Sequence, residues 1–554
     1  MNTMSLVVVA ETGHSWRLWH TDWWCRQFGV SSSGFLVLLL SLPREIWIDI
    51  LNTWIGHTKS ISALDIAVSR LYRVPYISLL RNLELPFLQC SGKHMDKFIQ
   101  WISHRKIKLK SLSIHTKLVL DVFPISDISL HHLEHMFISH IQSHLPLQLP
   151  QLNHLFSSCS TLRSISFSSL TEMRSGDFRL LVRSLSHVPL TTLSIDTLPK
   201  TSTDAEMKLI AKTWSSSLNT LSCKDFALSR QNMTDICTRC TLLHTLKLSF
   251  SDRYTNPSQG DLVYFFKQLP KLKVLSLRDN CTLTTVLDDA VIRSIVDALP
   301  YLVSLDLPVG RNVSYKVFSI LKTRPLAYLS KGSYIYTYDD YARVSIDNSL
   351  SDIQTVLQSL SIEHKVGIEI RCSFPVSNPL CKWIAEYCGS RLVEFSAELA
   401  DDAHQCDSLL HLLLNCPSLH TLHLHSCHGL SMQSIEQIRH FCPGLKKISL
   451  TNHDGLTDST LCVLVKNYKS QLVHINVSGC SLVSDESLTP ISSCCANLEH
   501  LDVIGTQISW SALTNFLNRR GRKKCKVKVS PGLRSSLLTL RRRSSSIRLV
   551  LLID

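Results

Sequence analysis

Residues 416–430 read CPSLHTLHLHSCHGL, two cysteines and four histidines in fifteen positions. Thiolate sulfur and imidazole nitrogen are the usual ligands of zinc. His423 and His425, at i and i+2, could share a metal with a third ligand on an open strand. The run CTRC at 237–240 has the spacing of half a zinc site, but no second pair stands at zinc spacing. The expectation is therefore structural thiols, no metal and no cofactor. The chain has no phosphate-cradling glycine loop, no G-x-S-x-G and no H-E-x-x-H. It is expected to catalyse nothing itself.

The elements that must hold these residues repeat. The pattern L-x-x-L-x-L occurs as Leu419, Leu422, Leu424, then as Leu445, Ile448, Leu450. It returns as Leu472, Ile475, Val477 and as Leu498, Leu501, Val503, with starts 26, 27 and 26 residues apart. Between them lie stretches such as LTDSTLCVLVKNY and VSDESLTPISSCC, where Asp or Ser precedes an apolar face of helical spacing. Each unit thus reads as a strand, a turn and a capped helix. Looser copies start at Leu109, Leu133, Leu162, Leu190, Leu218, Leu243, Leu272, Leu302 and Leu392. From Leu326 to Leu392 the register is lost; two irregular repeats or one repeat plus an insertion would both fit. This stretch holds KGSYIYTYDDYARVS, with Tyr334, Tyr336, Tyr338 and Tyr341. It reads either as a partner-binding loop or as an irregular strand.

The period sorts the chemistry-bearing residues. Cys159, Cys240, Cys416, Cys442 and Cys495 each stand three places before a strand leucine, and Cys427 and Cys480 three places after a strand's end. Stacked units would line these thiols up as small buried groups. Strand alternation points Leu422 and Leu424 to the core and Thr421, His423 and His425 to the other face. The same rule places Lys447, His474, Asn476, His500 and Asp502 on that face, together with Glu394, Ser396 and Glu398. Ser164, Ser166, Thr192 and Ser194 occupy the same columns earlier in the chain.

A period of 20–29 residues with this strand is the signature of leucine-rich repeats. The units around 416–503 resemble the cysteine-containing subclass common in F-box receptors. The resemblance implies an α/β leucine-rich repeat solenoid, a right-handed, ribonuclease-inhibitor-like horseshoe whose concave sheet binds a partner.

In front of the repeats, residues 42–80 read LPREIWIDILNTWIGHTKSISALDIAVSRLYRVPYISLL. Ser41 can cap a helix, Pro43 suits its first turn, and Ile46, Ile50, Leu51 and Trp54 share one face. LPREIWIDIL resembles the opening of an F-box, the motif that docks on a Skp-type adaptor of cullin-based ubiquitin ligases. Leu42, Pro43, Glu45, Ile46, Ile50, Leu51 and Trp54 would then be the adaptor-binding residues. The second half departs from the family: AVSRLYR has Val68, Ser69, Arg70 and Tyr72 but no tryptophan. A helical cap for the repeats is the other reading of this segment.

At 554 residues the chain is too long for one compact core but suits a stacked array. The domain expectation is a leader at 1–39, an F-box-like helical module at 40–80, repeats over 85–518 with an irregular stretch at 330–390, and a basic tail at 519–554. From Arg519 onward there are twelve Lys/Arg and one acidic residue, leaving 46 basic against 43 acidic residues before it. Attraction to an import receptor or to nucleic acid therefore belongs to the tail. No apolar run is long enough for a membrane span and no secretory signal is evident, so the cytoplasm, the nucleus or both are the expected location. The expected role is substrate recognition for a Skp/cullin/F-box-type ubiquitin ligase. A non-ubiquitin repeat scaffold and a nucleic-acid-associated factor acting through the tail are the alternatives.

Overall fold

The structure is a computed structural model. It describes residues 84–85, 88–90, 108–115, 132–139 and most of 156–530, the loops 169–174, 197–203, 251–257, 278–285, 371–377, 399–402, 427–431 and 521–524 being among the exceptions. The leader, the helical module expected at 40–80, Cys427 and all residues after 530 lie outside the described residues. The chain divides into two compact units, Met1–Leu302 and Val303–Asp554.

In the first unit, β1 (Glu84–Leu85) pairs in parallel with β3 (Lys108–Leu109). The main sheet is parallel throughout. It runs β2 (Leu88–Cys90), β4 (Ser111–His115), β5 (His135–Ser139), β6 (Ser164–Phe167), β7 (Thr192–Ile195), β8 (Thr220–Phe226), β9 (Thr245–Phe250) and β10 (Val274–Ser276). One side chain per strand stacks in register: Leu112, Met136, Ile165, Leu193, Leu221, Leu246 and Leu275, all buried. From β6 to β10 helices return the chain from strand to strand, as parallel pairing requires. Their starts are locally encoded. Ser258 and Asp261 form a reciprocal capping box on the helix Gln259–Lys267, and Asp288 caps Asp289–Ala298.

The second unit contains β11 (Ser304–Leu307), β12 (Tyr328–Lys331), β13 (Tyr334–Tyr338), β14 (Ala342–Ile346), β15 (Val366–Ile370) and β16 (Leu392–Glu398). It continues with β17 (Thr421–His425), β18 (Lys447–Thr451), β19 (His474–Asn476), β20 (His500–Asp502) and β21 (Lys526–Lys528). From β14 to β21 each strand pairs in parallel with the next, and Val344, Ile368, Phe395, Leu422, Ile448, Ile475, Leu501 and Val527 form one buried column. This is the strand–turn–helix stacking that the repeat period predicts, present in each unit.

Of the two readings left open for YIYTY the structure has the irregular strand, and one boundary differs from the sequence expectation. Within the stretch 330–390, which also holds the helices Ile353–Ser359 and Asn378–Cys388, β13 runs antiparallel to both β12 and β14. Tyr334 and Tyr336 are buried and Tyr338 is on the surface, so YIYTY is a core strand and not a loop. Its alternation fits either strand direction, and the direction is set by its two neighbours. At the other end the repeats do not stop at 518: the helix Trp510–Arg520 and β21 add a further rung. Arg520, expected in the tail, is buried. Its guanidinium donates to the carbonyls of Cys495 at 2.8 Å and of Leu498 at 2.8 Å.

That bond belongs to a set of ties between rungs. The Tyr468 hydroxyl donates to the Cys442 carbonyl at 3.1 Å in the second unit, and the Trp214 indole to the Val188 carbonyl at 3.0 Å in the first. Asp458 accepts from the Ser484 amide and hydroxyl at 2.9 and 2.5 Å, and one rung later Asp485 accepts from those of Ser509 at 2.5 and 2.6 Å. Ser484 itself caps the next turn, and Thr457 rather than Asp458 caps the helix Asp458–Tyr468.

Replacing Arg520 by Ala removes the guanidinium from the Leu498 carbonyl and one of two donors from the Cys495 carbonyl, and is expected to cost about 1–3 kcal/mol. Replacing the exposed Arg519 should stay within about 0.5 kcal/mol. Leu450→Ala should cost about 2–5 kcal/mol through an internal cavity. Urea unfolding of the three variants checks the order; an Arg520 variant as stable as the Arg519 variant would contradict the rung assignment.

Candidate protein-interaction face

The strands β16 to β21 carry one side chain outward between each buried pair, and their register turns these into columns. One column reads Glu394, Thr421, Lys447, His474, His500, Lys526. The next reads Glu369, Ser396, His423, Ser449, Asn476, Asp502, Lys528. A third, shorter one reads Glu398, His425, Thr451. The structure thus brings His423, His425, Lys447, His474, Asn476, His500 and Asp502 onto one face, as alternation predicts. His425, Lys447 and Lys526 are exposed, while His423, His474, Asn476, His500 and Asp502 are half-buried by their neighbours.

These side chains are not equally available. The His425 ring is held by Thr451 Oγ1 at 2.6 Å from Nδ1 and by Asn452 Nδ2 at 3.3 Å from Nε2. Asn476 accepts from the Ser478 amide at 3.0 Å, and Asp502 from the Ile504 amide at 3.2 Å. Both therefore close the turn after their own strand as well as facing outward. Asp502 also lies 3.9 Å from the Lys528 ammonium. The turns leave little space. At Gly479, whose φ is +74°, an added Cβ would lie 1.8 Å from Asn452 Oδ1, so this rung accepts only glycine.

Charge changes sign along the face. At the β14–β16 end, Arg343 reaches Glu394 at 3.0 Å and the Tyr341 hydroxyl at 2.6 Å, and that hydroxyl donates to Glu394. Gly367 leaves room for this: a Cβ there would stand 2.9 Å from the Tyr341 ring. Glu369 accepts from the Ser345 hydroxyl at 2.7 Å. Toward β21 the lysines and imidazoles gather. The His474 and His500 rings lie 5.5 Å apart at 33°. Burial lowers the His474 imidazole to about 4, helped by His500, His423, Lys447 and Lys528. Burial also lowers His423; Glu394 and Glu369 oppose the shift and Lys447 adds to it.

Among the described residues no group of three or more His, Cys, Asp and Glu is placed to hold a metal ion. The strand histidines of residues 416–430 belong to the face, and Cys416 belongs to the core. Cys159, Cys240, Cys416, Cys442, Cys480 and Cys495 are all buried free thiols. The Cys416 Sγ–H donates to the Leu412 carbonyl at 3.1 Å and that of Cys480 to Leu450 at 3.1 Å. Burial pushes the Cys442 and Cys495 thiols up to about 12, so neither is a nucleophile at neutral pH. No helix among the described residues is long and apolar enough to cross a membrane.

Sequence reasoning missed Lys526, Lys528, Tyr341, Arg343 and Glu369. Lys526 and Lys528 were hidden inside a basic run, though Cys525, Val527 and Val529 alternate with them. Tyr341 and Arg343 fall where the period fails.

No family model matches the chain. It is similar to F-box/LRR-repeat protein 4 of Bos taurus, with 30% identity over 119 residues, or 21% of this chain and 18% of the bovine protein. The match thus spans less than a fifth of the bovine protein's length. Two solved structures align over most of the chain. The yeast Rad7 and Elc1 complex has 13% identity, a TM-score of 0.30, and coverage of 90% of this chain and 96% of that one. The TLR13–ssRNA13 complex has 15% identity, a TM-score of 0.37, and coverage of 82% and 60%. Both scores are low, and the fold assignment rests on the strand registers above.

His474 makes stability depend on pH. Unfolded, the imidazole titrates near its ordinary value of about 6.5; folded, it stays neutral down to about 4. Between these values the unfolded state binds the extra proton. Its stabilising contribution is full above about pH 7 and is lost as pH falls toward 4. The Tm of His474→Gln, compared with that of the wild type from pH 7.5 to 4.5, should fall less steeply. Parallel curves would contradict the assignment.

Proposed function

We propose that this chain is a protein-interaction receptor whose open sheet face, from β16 to β21, holds a partner protein. One observation carries the reading: six consecutive strands present polar and chargeable side chains in unbroken register on the face opposite the buried column. Stacked repeats commonly use such a surface for binding. In this reading the chain is a non-catalytic subunit without a cofactor.

The finer part of the proposal is a role in ubiquitin ligation. Residues 40–80 would dock a Skp-type adaptor through Leu42, Pro43, Glu45, Ile46, Ile50, Leu51 and Trp54, joining the chain to a cullin complex. The sheet face would hold the substrate, and another subunit would do the chemistry. The F-box-like opening LPREIWIDIL and the partial identity to the bovine F-box/LRR-repeat protein support this part. The protein would act in the cytoplasm, the nucleus or both. The basic residues after 530 would be available to an import receptor or to nucleic acid.

Co-purification of the full chain with a Skp-type adaptor is the test. The wild-type chain should hold the adaptor. Ile46→Asp with Leu51→Asp should abolish binding by placing two unpaired charges in an apolar contact, while the Tm is unchanged. A folded wild-type chain that holds no adaptor would remove the ligase role. It would leave a repeat scaffold whose N-terminal helices serve only as a cap.

A further inference from the structure

We infer that the β18–β21 end of the sheet face is a docking surface for an Asp/Glu-rich segment of a partner protein. The inference rests on the reading of this face as an interaction surface and names the chemistry of its occupant.

The argument starts from the row Lys447, His474, His500, Lys526, one residue from each of four adjacent parallel strands. Strands lie about 4.8 Å apart, so the row places a donor at each step along about 14 Å. Lys528 stands in the neighbouring column beside Asp502, and His423 two strands before Asn476. Lys447 and Lys526 are exposed, and among the described residues neither has an ion-pair partner. Asp502 is the carboxylate of this region's columns. It is already held by the Ile504 amide and Lys528. The row is therefore a strip of donors whose charge is not balanced from within the sheet.

Its length and composition choose among anions. A single phosphate would engage one or two of these positions, and the row contains no arginine, the side chain whose planar fork matches a phosphate. Arg343, the arginine nearest in the columns, is held by Glu394. A nucleic-acid strand would carry its phosphates on toward Glu394, Glu369 and Glu398, and the row holds no Phe, Tyr or Trp on which bases could stack. The chain's own residues after 530 are basic and would be repelled. An extended acidic segment rises about 3.3 Å per residue, so four to six residues laid across the strands would span the strip.

Protonation supports the same occupant. His474 is kept neutral by burial and by His500, His423, Lys447 and Lys528. Lys526, His425, Asp502, Glu394 and Glu398 are the other charged or titratable groups that β16 to β21 carry on this face. Carboxylates laid over His474 would favour its imidazolium, so docking should take up a proton and strengthen as the pH falls from about 7.5 to 5.5.

The test is fluorescence anisotropy of the full chain with a labelled (Glu-Asp)4 peptide. A (Gln-Asn)4 peptide, a singly phosphorylated serine peptide and a ten-nucleotide single strand serve as competitors. The expected result is saturable, salt-sensitive binding that is stronger at pH 5.5 than at 7.5. Lys447→Glu with Lys526→Glu should weaken it about tenfold or more at unchanged Tm, since both residues are exposed. Arg541→Gln, Arg542→Gln and Arg543→Gln together should leave it intact. Loss in the arginine variant, with the lysine variant like wild type, would move the binding to the tail and overturn the inference. Stronger displacement by the phosphopeptide or the oligonucleotide would overturn the acidic-segment assignment. If the peptide does not bind, but the lysine variant still loses proteins that co-purify with the wild-type chain, the inference falls and the interaction face stands. If charge reversal changes neither, both fall.

Discussion

Strand after strand in each unit, one aliphatic or aromatic side chain stacks on its equivalent in the next rung, and the rest of the structure follows from that column. A single rung cannot bury its apolar face; only a neighbour can cover it. In the second unit the column from Val344 to Val527 ties eight parallel strands to one register. The side-chain period of a strand is two, so a slip by one residue would exchange core and surface along the whole face. The column thereby decides which residues can meet a partner. Lys447, His474, His500 and Lys526 align because Ile448, Ile475, Leu501 and Val527 do.

Directional bonds fasten what burial aligns. Asp458 and Asp485 each reach forward to the capping serine of the following rung, and Tyr468 and Arg520 reach back to carbonyls of the preceding one. Arg520 serves the last described rung. It donates to the Leu498 carbonyl and adds a second donor to the Cys495 carbonyl. The thiols belong to the same framework. Cys416 and Cys442 donate weakly to helix-end carbonyls and fill space where a larger side chain would separate the rungs. Of the residues that resemble a metal motif in the sequence, Cys416 lies in the inner row and His423 and His425 on the outer face.

Much of this was legible because the signals are local. Leu419, Leu422 and Leu424 announce a strand and its inward face within six residues, and the register of His423 and His425 follows. Serine and threonine caps are equally local. The antiparallel course of β13 was not legible, since YIYTY alternates identically in either direction. Arg520 and Lys526 read as tail because charge dominates their surroundings; burial of an arginine against the Cys495 and Leu498 carbonyls is a property of the folded rung. Asn476 and Asp502 were placed correctly on the face, but their bonds to the following turn appear only when the backbone is folded.

Residue-level modification of the native full chain, with a lysine acylating reagent and diethylpyrocarbonate read by mass spectrometry, tests the central claim directly. The account predicts ready modification of Lys447 and Lys526, which are exposed, and protection of the fully buried His453 until the protein unfolds. Protection of Lys447 and Lys526 together with modification of His453 in the native state would contradict the register and the face built on it.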